Sequence, residues 1–215
     1  MRRLISKTRL YIIYTILLVL LFFGGVGCKT MRPVQFPSVS NIGAMIDGDT
    51  AYLVYTSVEN QEDGWQIEQL VRSNHCKNLV VYLVNGGGSA PLMFDVCAVL
   101  TNLRNDGVHI TTIGSGMIAS AAVPIFVQGD VRILRKNCQV MLHPGGWQGH
   151  EDQLTKEQND LLDEWEHAYA RIMAERTKMT EEEVYEIMNT GNTDTGQIWY
   201  TAQEALDRGI ATEIE

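Results

Sequence analysis

Short runs of apolar residues recur along this chain, and each has the length of a β-strand. They are Ala51–Val58, Asn78–Asn85, Val108–Ile113, Val131–Leu134 and Gln139–Leu142. Runs of this kind, with few polar interruptions, are typical of strands buried on both faces of a sheet. The pattern therefore predicts five strands, followed by a last strand at the end of the chain, Ile210–Ile214.

The segments between these strands show the spacing of amphipathic helices. Apolar residues three and four positions apart predict helices over Gly64–Ser73 and Pro91–Arg104, and a long helix over Glu151–Met179. A short helix is predicted to open at Thr201. Because strands and helices alternate, we expect an α/β domain with a largely parallel sheet.

The first 28 residues have the pattern of a signal peptide or membrane anchor. Four cationic residues accompany an apolar run from Leu10 to Gly27, and small residues precede Cys28, as at a bacterial lipoprotein cleavage site. Gly25 departs from that pattern, which usually has leucine there. Residues 29–41 are predicted to be a tether and residues 42–215 the folded domain. The basic flank predicts a membrane-attached protein whose body faces the extracytoplasmic side, with a cytoplasmic body as the alternative.

Composition narrows the possible partners. The formal net charge is −9 even though the first 28 residues carry four cations and no acid, so the body is acidic. An acidic surface argues against non-specific nucleic-acid binding. The four cysteines have no C-x-x-C spacing, so no zinc site is predicted, and we expect neither a metal nor a cofactor.

Three features with chemical potential follow apolar runs: the glycine run 86–88, Ser120 and His143. Strand ends gather at one edge of an α/β sheet, where ligands bind. Histidine is suited to take the proton of a serine near neutral pH, and backbone N–H groups in a glycine run can stabilise an oxyanion. The N–H groups of Gly88 and Ala121 are the expected donors. Each feature also has a simpler interpretation when taken alone. Ser120 could be a small residue at a tight helix-packing position, the glycine run could be a phosphate-binding loop, and His143 could be a structural turn residue.

From about residue 78 to residue 213 the chain resembles the proteolytic subunit of the Clp peptidases. L-V-N-G-G-G-S-A is similar to that family's oxyanion turn, with Gly86 where proline is usual, and G-M-I-A-S-A-A is similar to its nucleophile motif. C-Q-V-M-L-H-P-G-G-W-Q-G-H and W-Y-T-A-Q-E-A-L-D-R-G-I-A-T-E-I resemble its histidine and closing motifs. The resemblance implies a ClpP/crotonase-like fold with a protruding handle helix. It also implies a serine endopeptidase that cleaves peptide or unfolded protein, with Ser120 as nucleophile and His143 as base.

The third catalytic member departs from the family pattern. The position of the family's aspartate is occupied here by Gln197, and the loop before it is longer. Asp194 lies three positions upstream and is the first candidate to hold the imidazole tautomer, with Gln197 as the alternative.

Other implications of the resemblance concern assembly and competing functions. It implies a homo-oligomeric ring, a heptamer or double heptamer by analogy, and an ATPase partner only if the body is cytoplasmic. One alternative is a signal-peptide-peptidase-like enzyme, whose base would be a lysine such as Lys136, Lys156 or Lys178. Another is a non-catalytic scaffold on the same fold, motivated by Gln197 and the missing proline.

Overall fold

The computed structural model describes residues 32–34, 42–146, 154–190 and 196–215. The strands are β1 Arg32–Val34, β2 Ile42–Asp47, β3 Thr50–Tyr55, β4 Asn78–Asn85, β5 His109–Ala119, β6 Val131–Leu134, β7 Gln139–Leu142, β8 Ile198–Thr201 and β9 Glu213–Ile214. The helices are α1 Asp63–Ser73, α2 Ala90–Asn105, α3 Ala122–Phe126, α4 Lys156–Arg176, α5 Glu181–Thr190 and α6 Ala202–Asp207.

All nine strands belong to one sheet with the order β1-β2-β3-β4-β5-β6-β9. Strands β3 to β6 and β9 run parallel, while β1 and β2 form an antiparallel margin. The strand β5 pairs with β6 through residues 111–114 and with β7 through residues 117–119. The strand β8 then adds antiparallel to β7. The mixed, mostly parallel α/β architecture expected from the sequence is confirmed.

The strand β4 buries one of its faces more completely than the other. Leu79, Val81 and Leu83 alternate inward along it, are at most 1 % exposed and belong to the same buried apolar cluster as residues of α1 and α2. Val84 is 55 % exposed, so the burial on both faces that the apolar run predicted is only partly present. Both helices turn apolar residues inward, including Leu70 in α1 and Leu100 in α2. Three strands, β4, β6 and β7, have the bounds that the sequence predicted.

The predicted end of the third strand is wrong. That strand was expected to stop at Ile113 and to be followed by a turn, whereas β5 continues to Ala119. Gly116 adopts a φ of +68°, and the pairing with β4 shifts between Leu83 and Asn85, which marks a β-bulge. Pairing with β4 and β7 therefore keeps this glycine-containing stretch in the sheet.

The predicted boundaries near the two ends of the domain also differ from the structure. β1 lies within the predicted tether 29–41 and pairs with β2, so part of that segment extends the sheet. The final strand is shorter than expected, because Ile210 is buried without joining it and β9 holds only Glu213–Ile214. Residues 1–31, including Cys28, lie outside the described residues, so the membrane anchor stays a prediction. Within the described ranges, no helix is long and apolar enough to cross a bilayer.

The long helix is the handle candidate, and it is shorter than predicted. Thr155 caps α4 through a capping box with Gln158, and Thr177 ends it in an extended conformation. Thr180 caps the following helix, with Glu183 closing its capping box. Residues 151–153, where the long helix was expected to begin, lie outside the described residues.

A buried carboxyl group under β3 makes stability depend on pH. Asp63 is 1 % exposed, its Oδ2 accepts the Tyr55 hydroxyl at 2.9 Å, and its Oδ1 has no partner among the described residues. Burial raises the pKa of Asp63 from 3.8 to about 6, and the Tyr55 hydrogen bond offsets part of this rise. The folded state therefore binds the Asp63 proton more tightly than the unfolded state does.

We expect the free energy of unfolding to fall as the pH rises through the folded pKa of Asp63. The contribution of Asp63 is complete below about pH 4 and lost above about pH 6, so the step from pH 5 to 7.5 costs about 1 kcal/mol. Urea unfolding at the two pH values measures this, and Asp63→Asn removes that part of the slope. The control Glu68→Gln, which removes a partly exposed α1 carboxylate that pairs with Arg72, keeps most of the wild-type slope; an equal slope in wild type and Asp63→Asn contradicts the assignment.

Candidate active site

Ser120 occupies the turn between β5 and α3 in a conformation that serine rarely adopts. Its φ is +54°, and three hydrogen bonds hold it there. The Ser120 N–H donates to the Met141 carbonyl at 2.8 Å, and the Ser120 carbonyl accepts the Val123 N–H at 3.0 Å and the Tyr169 hydroxyl at 3.3 Å. Because these contacts come from β7, α3 and α4, three elements fix the serine at the end of β5.

His143 reaches Ser120 because β5 and β7 are parallel neighbours. Their ladder ends with Ala119 opposite Met141, so the residues just beyond both strands lie at the same sheet edge. The distance from His143 Nε2 to Ser120 Oγ is 2.8 Å. When Nε2 carries no proton, this is the geometry in which it accepts the serine hydroxyl.

The glycine run closes the other side of the serine turn. Val58 forms an isolated parallel bridge with Gly88, in which the Val58 N–H donates to the Gly87 carbonyl and the Ser89 N–H donates to the Val58 carbonyl. In this pairing the neighbours of Gly88 bond to Val58, so the N–H of Gly88 itself points away from Val58. Gly88 lines the same cleft as Ser120 and His143.

The two expected oxyanion donors are therefore both at the cleft. Ala121 also lines it, and among the described residues neither Gly88 N–H nor Ala121 N–H has a hydrogen-bond partner. The Gly87 N–H is already used, since it donates to Asn85 Oδ1 at 2.8 Å. Gly88, and not Gly87, therefore has an N–H available to a bound oxyanion.

Asn85 and Tyr169 are site residues that the sequence analysis did not identify. Asn85 is fully buried, and besides accepting from Gly87 it donates from Nδ2 to the Tyr55 carbonyl at 3.5 Å. Tyr169 comes from α4, 49 residues after the serine whose carbonyl it bonds, and burial raises its pKa. The sequence could have indicated Asn85, because it lies at the end of β4 directly before three glycines. No sequence pattern indicates the contact of Tyr169.

The cleft beside these residues has a volume of about 600 Å³. The β3–α1 loop, the start of α2, residues 143–146 and the helices α4 and α5 form its walls. Within the described ranges, no group of three histidine, cysteine or acidic side chains is placed to hold a metal ion. The side chains present are suited to acyl chemistry at the serine.

The two candidates for the third member stand differently in the structure. In the β7–β8 pairing, Leu142 lies opposite Ile198. His143 follows Leu142 and Gln197 precedes Ile198, so both residues lie just beyond the same end of the paired strands. The Gln197 Oε1 accepts the Trp199 indole N–H at 3.2 Å. Asp194 lies outside the described residues, so its role stays a prediction.

Comparison with known proteins agrees with this fold. A family model described as Clp protease matches residues 41–215. The chain belongs to the Clp protease family. The ATP-dependent Clp protease proteolytic subunit 1 of Leifsonia xyli subsp. xyli is 30% identical over 142 residues, which cover 64% of this chain and 67% of the relative. Proteolytic subunit 2 of Bifidobacterium longum is 26% identical over 152 residues, which cover 69% of each chain.

A solved structure extends the likeness to the Clp protease fold. A ClpP1 mutant from Listeria monocytogenes aligns with a TM-score of 0.63, covering 78% of this chain and 91% of that one. Its sequence identity to this Clp protease family member is 18%. The expected ClpP-like fold is thus confirmed.

The contact between Gly87 and Ser120 generates a mutational prediction. A Cβ on Gly87 would lie 2.6 Å from Ser120 Cβ, and the φ of Gly87 is +101°, where a side chain is strained. We expect Gly87→Ala to slow the labelling of Ser120 by a fluorophosphonate probe at least about tenfold, a loss of about 1.4 kcal/mol.

Gly86→Ala is the matched control. Its Cβ would meet only Met117 Cε at 3.4 Å, an ordinary contact distance, and the Gly86 φ lies outside the glycine-favouring region. Labelling near the wild-type rate is expected for this variant. Equal effects of the two substitutions would show that the close contact of Gly87 is unimportant.

Proposed function

We propose that this Clp protease family member is a serine endopeptidase in which Ser120 is the nucleophile and His143 the general base. The distance of 2.8 Å between Ser120 Oγ and His143 Nε2, at the edge of a ClpP-like sheet, is the observation that carries the proposal. Peptide or unfolded protein is the proposed substrate. The two relatives are proteolytic subunits of ATP-dependent Clp proteases, which supports this choice.

The proposed reaction proceeds through an acyl-enzyme. His143 Nε2 takes the hydroxyl proton while Ser120 Oγ attacks the peptide carbonyl carbon, and the oxyanion accepts hydrogen bonds from Gly88 N–H and Ala121 N–H. Collapse of this intermediate breaks the C–N bond, and the proton on His143 goes to the leaving amine. Water, deprotonated by His143, then attacks the ester, and Ser120 regains its proton as the acid leaves.

The lysine-based alternative receives no support from the described residues. Lys156 pairs with Asp160, and Lys178 Nζ donates to the Asp207 carbonyl at 3.2 Å. Neither these lysines nor Lys136 is among the described residues that line the cleft, whereas His143 is. This arrangement favours histidine as the base.

The proposed assembly is a homo-oligomer. The relatives are named as subunits, which supports it, and α4 supplies the handle that the resemblance implies. Ring size, any ATPase partner and the extracytoplasmic location remain predictions. Sedimentation velocity on the purified full chain tests the assembly, and a monomer would contradict it.

Labelling with a fluorophosphonate probe tests the proposed chemistry. We expect the wild-type protein to be labelled, Ser120→Ala not to be labelled, and His143→Ala to be labelled at least about a hundredfold more slowly, because the hydroxyl loses its base. A cleaved fluorogenic peptide provides the parallel activity measurement. A folded wild-type protein that neither reacts with the probe nor cleaves peptide would instead be the non-catalytic scaffold.

The third member is tested by comparing Asp194→Asn with Gln197→Ala. We propose Asp194, since a carboxylate holds the imidazole tautomer and stabilises the imidazolium more than the neutral Gln197 amide would. The expected loss of kcat is at least about a hundredfold for Asp194→Asn and under about tenfold for Gln197→Ala. The reverse order assigns the role to Gln197.

A further inference from the structure

One face of α4 lines the cleft and is apolar except at a single position. Leu162, Trp165, Glu166 and Tyr169 lie three or four residues apart, so they share one side of the helix, and all four line the cleft. Glu166 thus places a carboxylate among an aliphatic and two aromatic side chains. A charged side chain that is partly buried is usually paired with an opposite charge, so a carboxylate on a binding face suggests a cationic partner.

The Glu166 carboxylate is held in place close to the reacting groups. Its Oε1 accepts the Gly145 N–H at 3.0 Å, and Gly145 is two residues after His143. The side chain is half-buried, and burial raises its pKa; Asp163 adds to the rise, while the Gly145 hydrogen bond and His167 offset part of it. The carboxylate has therefore lost hydration that Gly145 only partly replaces.

No lysine or arginine among the described residues forms an ion pair with Glu166, and His167 offsets its charge only in part. Among the described residues that line the cleft, the ones with a formal charge are Glu59 and Glu166, both acidic. A carboxylate accepts more than one hydrogen bond, so Glu166 retains acceptor capacity beyond Gly145.

We propose that Glu166 makes this cleft select peptides that carry a lysine or arginine side chain near the cleaved bond. The proposal rests on the proposed peptidase function and adds the class of side chain that the cleft prefers. A substrate cation would give the half-buried carboxylate an ionic partner that the described residues do not supply, in a cleft that Trp165 also lines. An acidic side chain in the same place is repelled by both Glu166 and Glu59.

Peptide binding to the full-length Ser120→Ala protein tests the proposal without requiring turnover. The probes are N-acetylated, C-amidated decapeptides of alanine, leucine and glycine with one central arginine, glutamine or glutamate, so the side chain alone differs in charge. We expect the arginine peptide to bind at least about tenfold more tightly than the glutamate peptide at low salt. The difference corresponds to about 1.4 kcal/mol, and salt should reduce it.

Glu166→Gln, added to Ser120→Ala, is the decisive variant. Its amide oxygen can still accept the Gly145 N–H, so the fold is retained while the charge is removed. The ratio of arginine to glutamate affinity should then fall below about threefold. Glu164→Gln is the matched control, because Glu164 lies on the same helix but lines the groove beside Phe94 on another face. The control should keep the wild-type ratio.

The outcomes separate this proposal from the proposed function. No binding, equal binding of the three peptides, an unchanged ratio in Glu166→Gln, or an equal fall in Glu164→Gln overturns the selectivity. Fluorophosphonate labelling of wild-type Ser120 reports separately on the chemistry. Labelling without charge preference rejects only the role of Glu166, whereas charge preference without labelling supports that role and rejects the peptidase.

Discussion

The backbone at Ser120 is the constraint on which the rest of the site depends. A φ of +54° helps turn the chain from β5 into α3 within two residues, at a cost that the surrounding contacts must offset. The Met141 carbonyl fixes the serine N–H, and the same strand, β7, delivers His143 one residue beyond its end. The positions of Ser120 and His143, the proposed nucleophile and base, thus follow from one strand pairing.

The glycine run is required by the same constraint. Gly87 packs against the Ser120 turn so closely that a side chain would collide with it, and Gly88 lies so close to the Val58 carbonyl that a Cβ would sit 2.2 Å from its oxygen. The Asn85 side chain accepts the Gly87 N–H. The Gly88 N–H points away from Val58, its bridge partner, and so stays available at the cleft. Backbone packing, together with the Asn85 side chain, therefore shapes the candidate oxyanion site.

The sequence predicted those parts of the molecule whose signal is local. β4, β6 and β7 were found because their apolar runs are continuous, and Ser120 and His143 were associated because parallel strands end at one edge. The second half of β5 was missed because Gly114 and Gly116 resemble a turn. In the structure Gly114 pairs with Leu83 and Leu134, and residues 117–119 pair with β7, so the strand continues past both glycines. Tyr169 and Glu166 were missed as site residues because their contacts join positions 49 and 21 residues apart.

This division between backbone and side chains bears on selectivity. The proposed nucleophile, base and two N–H donors would act on the peptide bond itself, which is the same in every substrate, so they cannot discriminate between sequences. Discrimination between substrate side chains has to come from the cleft walls. An apolar wall alone distinguishes side chains only modestly, by their size. A half-buried carboxylate is different, since a substrate without a cation leaves it unpaired and one with an anion repels it. Glu166 is therefore the position on α4 where the wall departs from general hydrophobicity and can distinguish substrates by charge.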